Sequence, residues 1–344
     1  MSASTAALAA VLGAFWQLPG EIPPADSQYI EARGFVSPIT HEEFTANVLK
    51  REVQATSFDY DRCPHPPINT LAYLMVTDPA SGYTAYADQF SRPCGWSAED
   101  LERILGKPGF TRHAPEGLPW SGAYPWEQFE NAARLSEAAG EPSSWVANYW
   151  LMAAWSVRLD VVSGHNEFDG EVAELLSDLP RKNPDAADLF TPYEVQLAQY
   201  WEELRDGGGA PDVTPAKLEL ALAWLYRSRG ELFAARHNLA AAVRAAPALA
   251  KDDLLYRYLM SSVDLEANYL RTAAGWYQKG WDKAEFTEAD EGRAAFLLGE
   301  ITRRCGRLSE AAEWYDRALA MNHGALSANL IQRQKELVST GRGY

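Results

Sequence analysis

The chain has 344 residues, with 31 Lys and Arg against 47 Asp and Glu, which gives a formal net charge of -16. This acidity argues against nonspecific binding to nucleic acid or anionic lipid, since both require clustered basic side chains. An apolar content of 47% is enough for a packed core and excludes wholesale disorder. Only 3 cysteines are present, too few for a disulfide framework, so we expect a cytoplasmic protein. Because of its acidity, we expect no nucleic-acid partner.

The first 25 residues are predicted to form an amphipathic helix followed by a Pro-rich arm. Leu8, Val11, Leu12 and Phe15 recur at the spacing of one helical face. No basic residue precedes this apolar run, which argues against a secretory signal. No stretch of the chain approaches the roughly 20 apolar residues of a membrane-spanning helix. The N-terminal helix either packs on the protein's own core or inserts into a groove of a partner.

The composition changes near residue 120. Residues 26–120 are rich in proline, and short apolar stretches such as Leu71–Val76 lie between the breakers, which predicts a small β-containing module. Residues 121–344 have the composition and periodicity of helices. Glycines at 207–209 and between 275 and 280 are predicted to interrupt these helices.

Two C-terminal segments, residues 216–249 and 292–325, fit one 34-residue tetratricopeptide pattern. This pattern needs small residues where paired helices approach, aromatic residues between the pairs, and glycine at the turn. Residues 127–160 give a weaker third match, and the intervening helices are expected to complete the stack. The predicted packing positions are Leu222, Ala223, Tyr226, Gly230, Ala235 and Ala242 in the first segment and Gly299, Gly306, Ala311, Tyr315 and Ala318 in the second.

Few residues have the spacing of a catalytic or metal site. Cys63 and His65, with Cys94 nearby, are candidates for a metal site or a cysteine nucleophile, but further ligands at regular spacing are lacking. Arg303 and Arg304 could bind a carboxylate or a phosphate, or could complement the dipole of their helix. The sequence has no phosphate-binding loop and no nucleophile elbow. We therefore expect no catalytic residue, no cofactor and no bound metal.

Two stretches, residues 220–227 and 295–315, resemble an uncharacterised bacterial family that carries an N-terminal double zinc knuckle followed by tetratricopeptide-like helices. Residues 37–40 and 78–83 look like the two Cys-Pro-x-Cys knuckles of that family with all four cysteines replaced, at Ser37, Thr40, Asp78 and Ser81. These side chains are poor substitutes for zinc-binding thiolates. The resemblance therefore implies a degenerate zinc-ribbon-like module without metal, in which the hydroxyls and the carboxylate hydrogen-bond the turn amides. It implies no particular activity.

Together these patterns predict a mainly α protein, in which a small degenerate zinc-ribbon-like module precedes a tetratricopeptide-like helical-repeat domain. The leading functional hypothesis is a non-catalytic adaptor or scaffold that binds a protein or peptide on its helical surface. One alternative is a subunit of a large assembly anchored by its N-terminal segment. Another is a metal-dependent enzyme or sensor, which requires Cys63, His65 and Cys94 to converge. The sequence fixes neither the partner nor the oligomeric state.

Overall fold

A computed structural model of the chain describes residues 28–106, 124–162, 169–177, 179–181, 193–208, 212–321 and 326–340. Over these ranges the protein is mainly helical, and three small two-stranded sheets lie in the N-terminal part. The prediction of a mainly α fold with a small β-containing N-terminal region is thereby confirmed. The helix predicted over residues 1–25 lies outside the described residues.

The described N-terminal part contains three antiparallel hairpins, two short 3-10 helices (Thr70–Tyr73 and Ala87–Ser91) and one short α-helix. The strands are β1 (Ile30–Val36) paired with β2 (Glu43–Leu49), β3 (Ser57–Phe58) with β4 (Pro64–His65), and β5 (Met75–Thr77) with β6 (Thr84–Tyr86), followed by helix α1 (Ala98–Leu105). Phe35, Val76, Phe90 and Leu101 are buried in a small core between these elements. The rings of Phe35 and Phe90 lie 5.5 Å apart in an edge-to-face arrangement, which is a favourable geometry for aromatic pairs.

Helices form the rest of the described chain. They are α2 (Pro125–Ala138), α3 (Ser143–Val162), α4 (Asp169–Ser177), α5 (Tyr193–Asp206), α6 (Pro215–Ser228), α7 (Leu232–Ala245), α8 (Leu249–Asp252), α9 (Leu254–Asp282), α10 (Glu288–Arg304), α11 (Leu308–Ala320) and α12 (Ala328–Ser339). Helix α3 packs against both α2 and the long helix α9, while α6 pairs with α7 and α10 pairs with α11. The two segments that fit the repeat pattern are thus two helical hairpins.

The small residues of the repeat pattern lie where the paired helices meet. Gly230 and Gly306 adopt φ values of 69° and 79° at the turns of the two hairpins, a conformation that glycine accepts without strain. At Gly299 an added Cβ would lie 2.6 Å from the ring of Tyr315, so glycine is required for the ring to pack there. The predicted alanines Ala235, Ala242, Ala311 and Ala318 are all completely buried.

Helix α9 differs from the expectation. A break was predicted between Gly275 and Gly280, but one helix continues through both residues to Asp282. The prediction was wrong because Gly280 serves packing instead of a turn. A Cβ at this position would lie 3.3 Å from the ring of Phe286, so the missing side chain lets the segment after the helix fold back against it.

The N-terminal hairpins and the helices share one hydrophobic core. Cys63, Leu71 and Met75 are buried in the same cluster as the apolar residues of the helices. The Asn131 side chain on α2 also donates a hydrogen bond to the carbonyl of Gly82, at 3.5 Å. The module is therefore fixed to the helical part by both apolar and polar contacts. The boundary predicted at residues 120/121 falls outside the described residues.

Candidate functional site

A cluster of buried charges lies between the helices and the β3–β4 hairpin. Its four arginines, which are at most 1% exposed, are Arg158 on α3, Arg227 on α6, and Arg303 and Arg304 on α10. The five carboxylates come from Asp59 and Asp61 between β3 and β4, Glu231 between α6 and α7, Glu266 on α9 and Glu300 on α10. We call this set the arginine cluster. Buried charges are tolerated only when they are paired and hydrogen-bonded, so the geometry of each pair matters.

Arg158 is the centre of the arginine cluster. Its guanidinium donates to both oxygens of Asp61, at 2.9 and 2.7 Å, and to Asp59 Oδ2 at 2.8 Å. It also donates to Glu266 Oε1 from Nε and Nη2, at 3.0 and 2.6 Å. A Cβ added to Gly230 would lie 2.2 Å from Arg158 Cζ, so the guanidinium packs directly on the backbone of the α6–α7 turn. Arg158 thus ties the N-terminal hairpin, α3, α9 and this turn together.

Arg303 and Arg304 bind carboxylates of their own chain. Arg303 makes two hydrogen bonds to Glu231, at 2.6 and 2.9 Å, and one to Glu300 at 3.0 Å. Glu300 in turn accepts a hydrogen bond of 2.6 Å from the hydroxyl of Tyr315. Arg304 lies within 3.8 Å of Glu231. Of the two roles considered for this basic pair, carboxylate binding is therefore realised, and the ligands are internal.

Arg227 binds the carboxylate oxygen of Glu266 that Arg158 leaves free. It forms an ion pair with that carboxylate, donates to Ser262 Oγ at 2.9 Å, and donates to the carbonyl of Val157 at 3.1 Å. Glu266 is therefore held between two arginines from different helices. Such a bridge fixes the orientation of α9 relative to α3 and α6.

The arginines keep two carboxylates of the cluster, Asp61 and Glu231, ionised. Burial alone would raise the pKa of Asp61, but the guanidiniums of Arg158 and Arg304 outweigh this effect and hold the pKa well below its usual range. The pKa of Glu231 is also lowered, because Arg303 and Arg304 outweigh the effect of burial. Asp61 and Glu231 are consequently ionised at neutral pH, and these two carboxyls are not proton donors there.

Two of the three residues required by the metal or nucleophile hypothesis converge. Cys63 and His65 lie beside Asp59, and one ligand atom from each residue lies within 4.8 Å of the other two. His65 Nε2 is 2.9 Å from Asp59 Oδ2. Cys63 is completely buried, and burial raises the pKa of its thiol well above the usual value, which disfavours a nucleophilic role.

Cys94 does not join Cys63 and His65. It lies beside Trp96, whose carbonyl is 3.6 Å from Cys94 Sγ, and packs against the separate N-terminal core. Together with Tyr83 and Tyr149 it lines a cleft between the N-terminal hairpins and the α2–α3 hairpin. The hypothesis of one site built from all three residues is therefore wrong.

Three of the four knuckle-like positions meet in the structure. The Asp78 carboxylate accepts hydrogen bonds from the hydroxyls of Ser37, at 2.5 Å, and Ser81. The same carboxylate accepts the backbone N–H of Ala80 at 2.9 Å, while Ser37 Oγ accepts that of Thr40, also at 2.9 Å. The Thr40 side chain itself is exposed. Asp78 is thus the centre of a hydrogen-bonded connection between the β1–β2 and β5–β6 turns.

Sequence reasoning did not identify Arg158, Arg227 or Glu266. A usable signal exists in α3, where Arg158 interrupts an apolar stretch of a helix that has alanine and aromatic residues on all sides. A charged residue in such a position is buried only when it has a partner. The carboxylate partners of Arg158, however, are 97 or more positions away in the chain, and a single sequence does not indicate such pairings.

Comparison with known protein families gives a match to the C-terminal part of the chain. A family model described as "Uncharacterized protein conserved in bacteria (DUF2225)" matches residues 205–340. No curated protein and no solved structure matches the chain. Among the described helices, none combines the length and hydrophobicity needed to cross a bilayer. The resemblance of residues 220–227 and 295–315 to an uncharacterised bacterial family is thus confirmed for the C-terminal part of the chain.

Proposed function

We propose that this protein is a non-catalytic, cytoplasmic scaffold that binds a protein or peptide on the surface of its helical repeats. Helical hairpins of this type commonly use their surface for protein binding. The observation that carries the proposal is an exposed aromatic anchor: Trp145, near the start of α3, leaves 58% of its surface accessible to solvent. Tryptophan is enriched at the centres of protein interfaces, where its burial contributes much of the binding energy.

The arginine cluster supports a scaffold more than an enzyme. Its charged groups are paired with one another, and its geometry holds distant helices in fixed positions. The arginine-bearing surfaces of α6 and α10 are already covered by Glu266 and by the hairpin that carries Asp59 and Asp61. A partner would therefore bind to the outer faces of the helices, where Trp145 lies.

The test compares two exposed apolar side chains in the full-length protein. A photo-crosslinking residue beside Trp145 identifies the partner, and the affinity for that purified partner is then measured. We expect Trp145→Ala to weaken binding about tenfold or more, as for an interface anchor. Val36→Ala on β1 removes a side chain that is 50% exposed and serves as the matched control. Equal affinities for wild type and Trp145→Ala would contradict the proposed surface.

A subunit role in a large assembly is the second candidate. It concerns residues 1–25, which the structure does not describe. Removal of these residues would abolish assembly in native gels while leaving the helical circular dichroism spectrum intact. Unchanged assembly would eliminate this alternative.

We also propose that the N-terminal hairpins form a degenerate zinc-ribbon-like module in which Asp78 replaces the metal. The support is the hydrogen-bond network that joins Ser37, Asp78 and Ser81 across two turns, since a zinc ion bound at such positions would join the same turns. Metal analysis of the purified protein tests this idea. Zinc whose retention depends on Asp78 and the two serines would overturn it.

A further inference from the structure

We propose that Asp59, Cys63 and His65 bind one zinc ion at the edge of the arginine cluster. The three side chains belong to a single short hairpin, in which β3 ends one residue before Asp59 and β4 contains His65. This hairpin is closed by hydrogen bonds between the backbones of Asp59 and Cys63, at 2.9 Å, and between those of Arg62 and Asp59, at 2.9 Å. The ligand set is therefore held by local structure, independently of the knuckle-like positions.

The distances suit a tetrahedral ion. Zinc binds nitrogen and oxygen at about 2.0–2.2 Å and sulfur at about 2.3 Å, so two of its ligand atoms lie roughly 3.3–3.6 Å apart. In this structure the three candidate ligand atoms lie within 4.8 Å of one another, and His65 Nε2 lies 2.9 Å from Asp59 Oδ2. Side-chain adjustments of about 1 Å would bring all three to binding distance.

The charges of the surrounding cluster favour an added cation. Its five carboxylates face four buried arginines, which leaves one negative charge in excess among these nine groups. Arg229, which is one-quarter exposed, lies 3.7 Å from Asp59 but also 3.9 Å from Glu194. A zinc ion bound with the Cys63 thiolate adds a single positive charge next to Asp59. That addition would balance the cluster.

Arg158 is the obvious competitor, since it donates to Asp59 Oδ2 at 2.8 Å. This contact is nevertheless compatible with metal binding, because ligand carboxylates are commonly oriented by a hydrogen bond from outside the coordination sphere. Asp61 and Glu266 each bind the same guanidinium and offset its charge. Arg158 would then act as a positioning residue for the Asp59 carboxylate.

The ligand types of the site favour one class of metal. The His65 side chain is 24% exposed, whereas Cys63 is completely buried, so the imidazole is the candidate ligand group closest to solvent. One thiolate, one imidazole and one carboxylate suit zinc or cobalt and not magnesium or calcium. Water would complete the coordination.

Cobalt provides a direct probe of the full-length, metal-depleted protein. Addition of Co²⁺ should produce a thiolate-to-cobalt absorption band at one equivalent per chain, and Zn²⁺ should displace it while Mg²⁺ should not. Zinc affinity is then measured by competition with a chromogenic chelator. We expect His65→Asn to weaken zinc binding at least about tenfold and Cys63→Ser to abolish the cobalt band.

Cys94→Ser is the matched control, because it removes a thiol from the other core and should leave the cobalt band unchanged. The partly exposed His65 is the second test position, since its substitution perturbs packing less than that of buried Cys63. Failure of the wild type to bind Co²⁺ at one equivalent would overturn the proposal. Persistence of the band in Cys63→Ser, or unchanged zinc affinity in well-folded His65→Asn, would overturn it as well.

Discussion

Replacement of Arg158 by methionine tests whether the arginine cluster holds the fold together. Methionine keeps much of the apolar volume but removes the hydrogen bonds that Arg158 donates to Asp59, Asp61 and Glu266. Asp61 would retain only longer contacts, with Arg304 Nε at 3.6 Å and Trp155 Nε1 at 3.3 Å among its charged and aromatic neighbours. A carboxylate left buried without its main partner costs about 3–5 kcal/mol.

That loss is a large part of a typical folding free energy of about 5–15 kcal/mol. It should lower the Tm by several degrees, since 1 kcal/mol shifts the Tm by about 2–4 °C in chains of 150–250 residues and by less in a longer chain. Thermal unfolding followed by circular dichroism measures the Tm, and urea unfolding gives the free energy. An unfolding free energy of Arg158→Met within about 1 kcal/mol of the wild-type value would refute this role of Arg158.

A double-mutant cycle separates the ion pair from general disruption. Asp61→Asn keeps the size of the side chain but removes its charge. If the bidentate contact is specific, the summed losses of unfolding free energy in the two single variants should exceed the loss in the double variant. The difference, the coupling free energy, should be about 1–3 kcal/mol. Additive effects would show that Arg158 contributes mainly by packing.

Three further predictions concern the α6–α7 turn, the ionised carboxylates of the arginine cluster, and the hydrogen bonds of Asp78. Gly230→Ala should destabilise the protein by about 2 kcal/mol or more in urea unfolding, because alanine is strained at a φ of 69° and its Cβ would displace Arg158. The control Gly170→Ala should be nearly neutral, since a Cβ at that position has open space. The pKa values of Asp61 and Glu231 are lowered in the folded protein, so the stability that these carboxylates contribute is complete above about pH 4–5. This stability is lost as the pH falls toward the folded-state pKa values. A Tm measured against pH should therefore decline steeply below about pH 4. Asp78→Ala should lower the Tm by removing the acceptor shared by two serine hydroxyls, and an unchanged Tm would show that the network is dispensable.

The repeat pattern was predictable because it rests on local sterics. Gly299 and Tyr315 occupy fixed positions in a 34-residue unit, and glycine at the turn follows from the need for positive φ at Gly230 and Gly306. These requirements act within one helical hairpin, so a single segment of sequence contains them. The same holds for Ser37 Oγ accepting the N–H of Thr40, which is a turn contact over three residues.

The arginine cluster was not predictable by the same means, because its contacts join residues far apart in the chain. Arg158 and Glu266 are 108 positions apart, and Arg158 and Asp59 are 99 apart. Hydrophobic periodicity indicates which face of a helix is buried, but it gives no information about which buried charges will meet. The helix break predicted near Gly280 was wrong for a related reason, since the contact of Gly280 with Phe286 depends on the path of the chain after the helix.

The arginine cluster also bears on how the chain could be divided for study. The matched segment, residues 205–340, contains Arg227, Glu266 and Arg304 but leaves out Arg158 and the Asp59–Asp61 hairpin. In a chain that begins at residue 205, Glu266 would lose one of its two arginines, and the backbone of Gly230 would lose the guanidinium of Arg158 that packs on it. The boundary of sequence similarity is therefore not a boundary of folding: the matched segment inherits unsatisfied surfaces that only the earlier part of the chain completes.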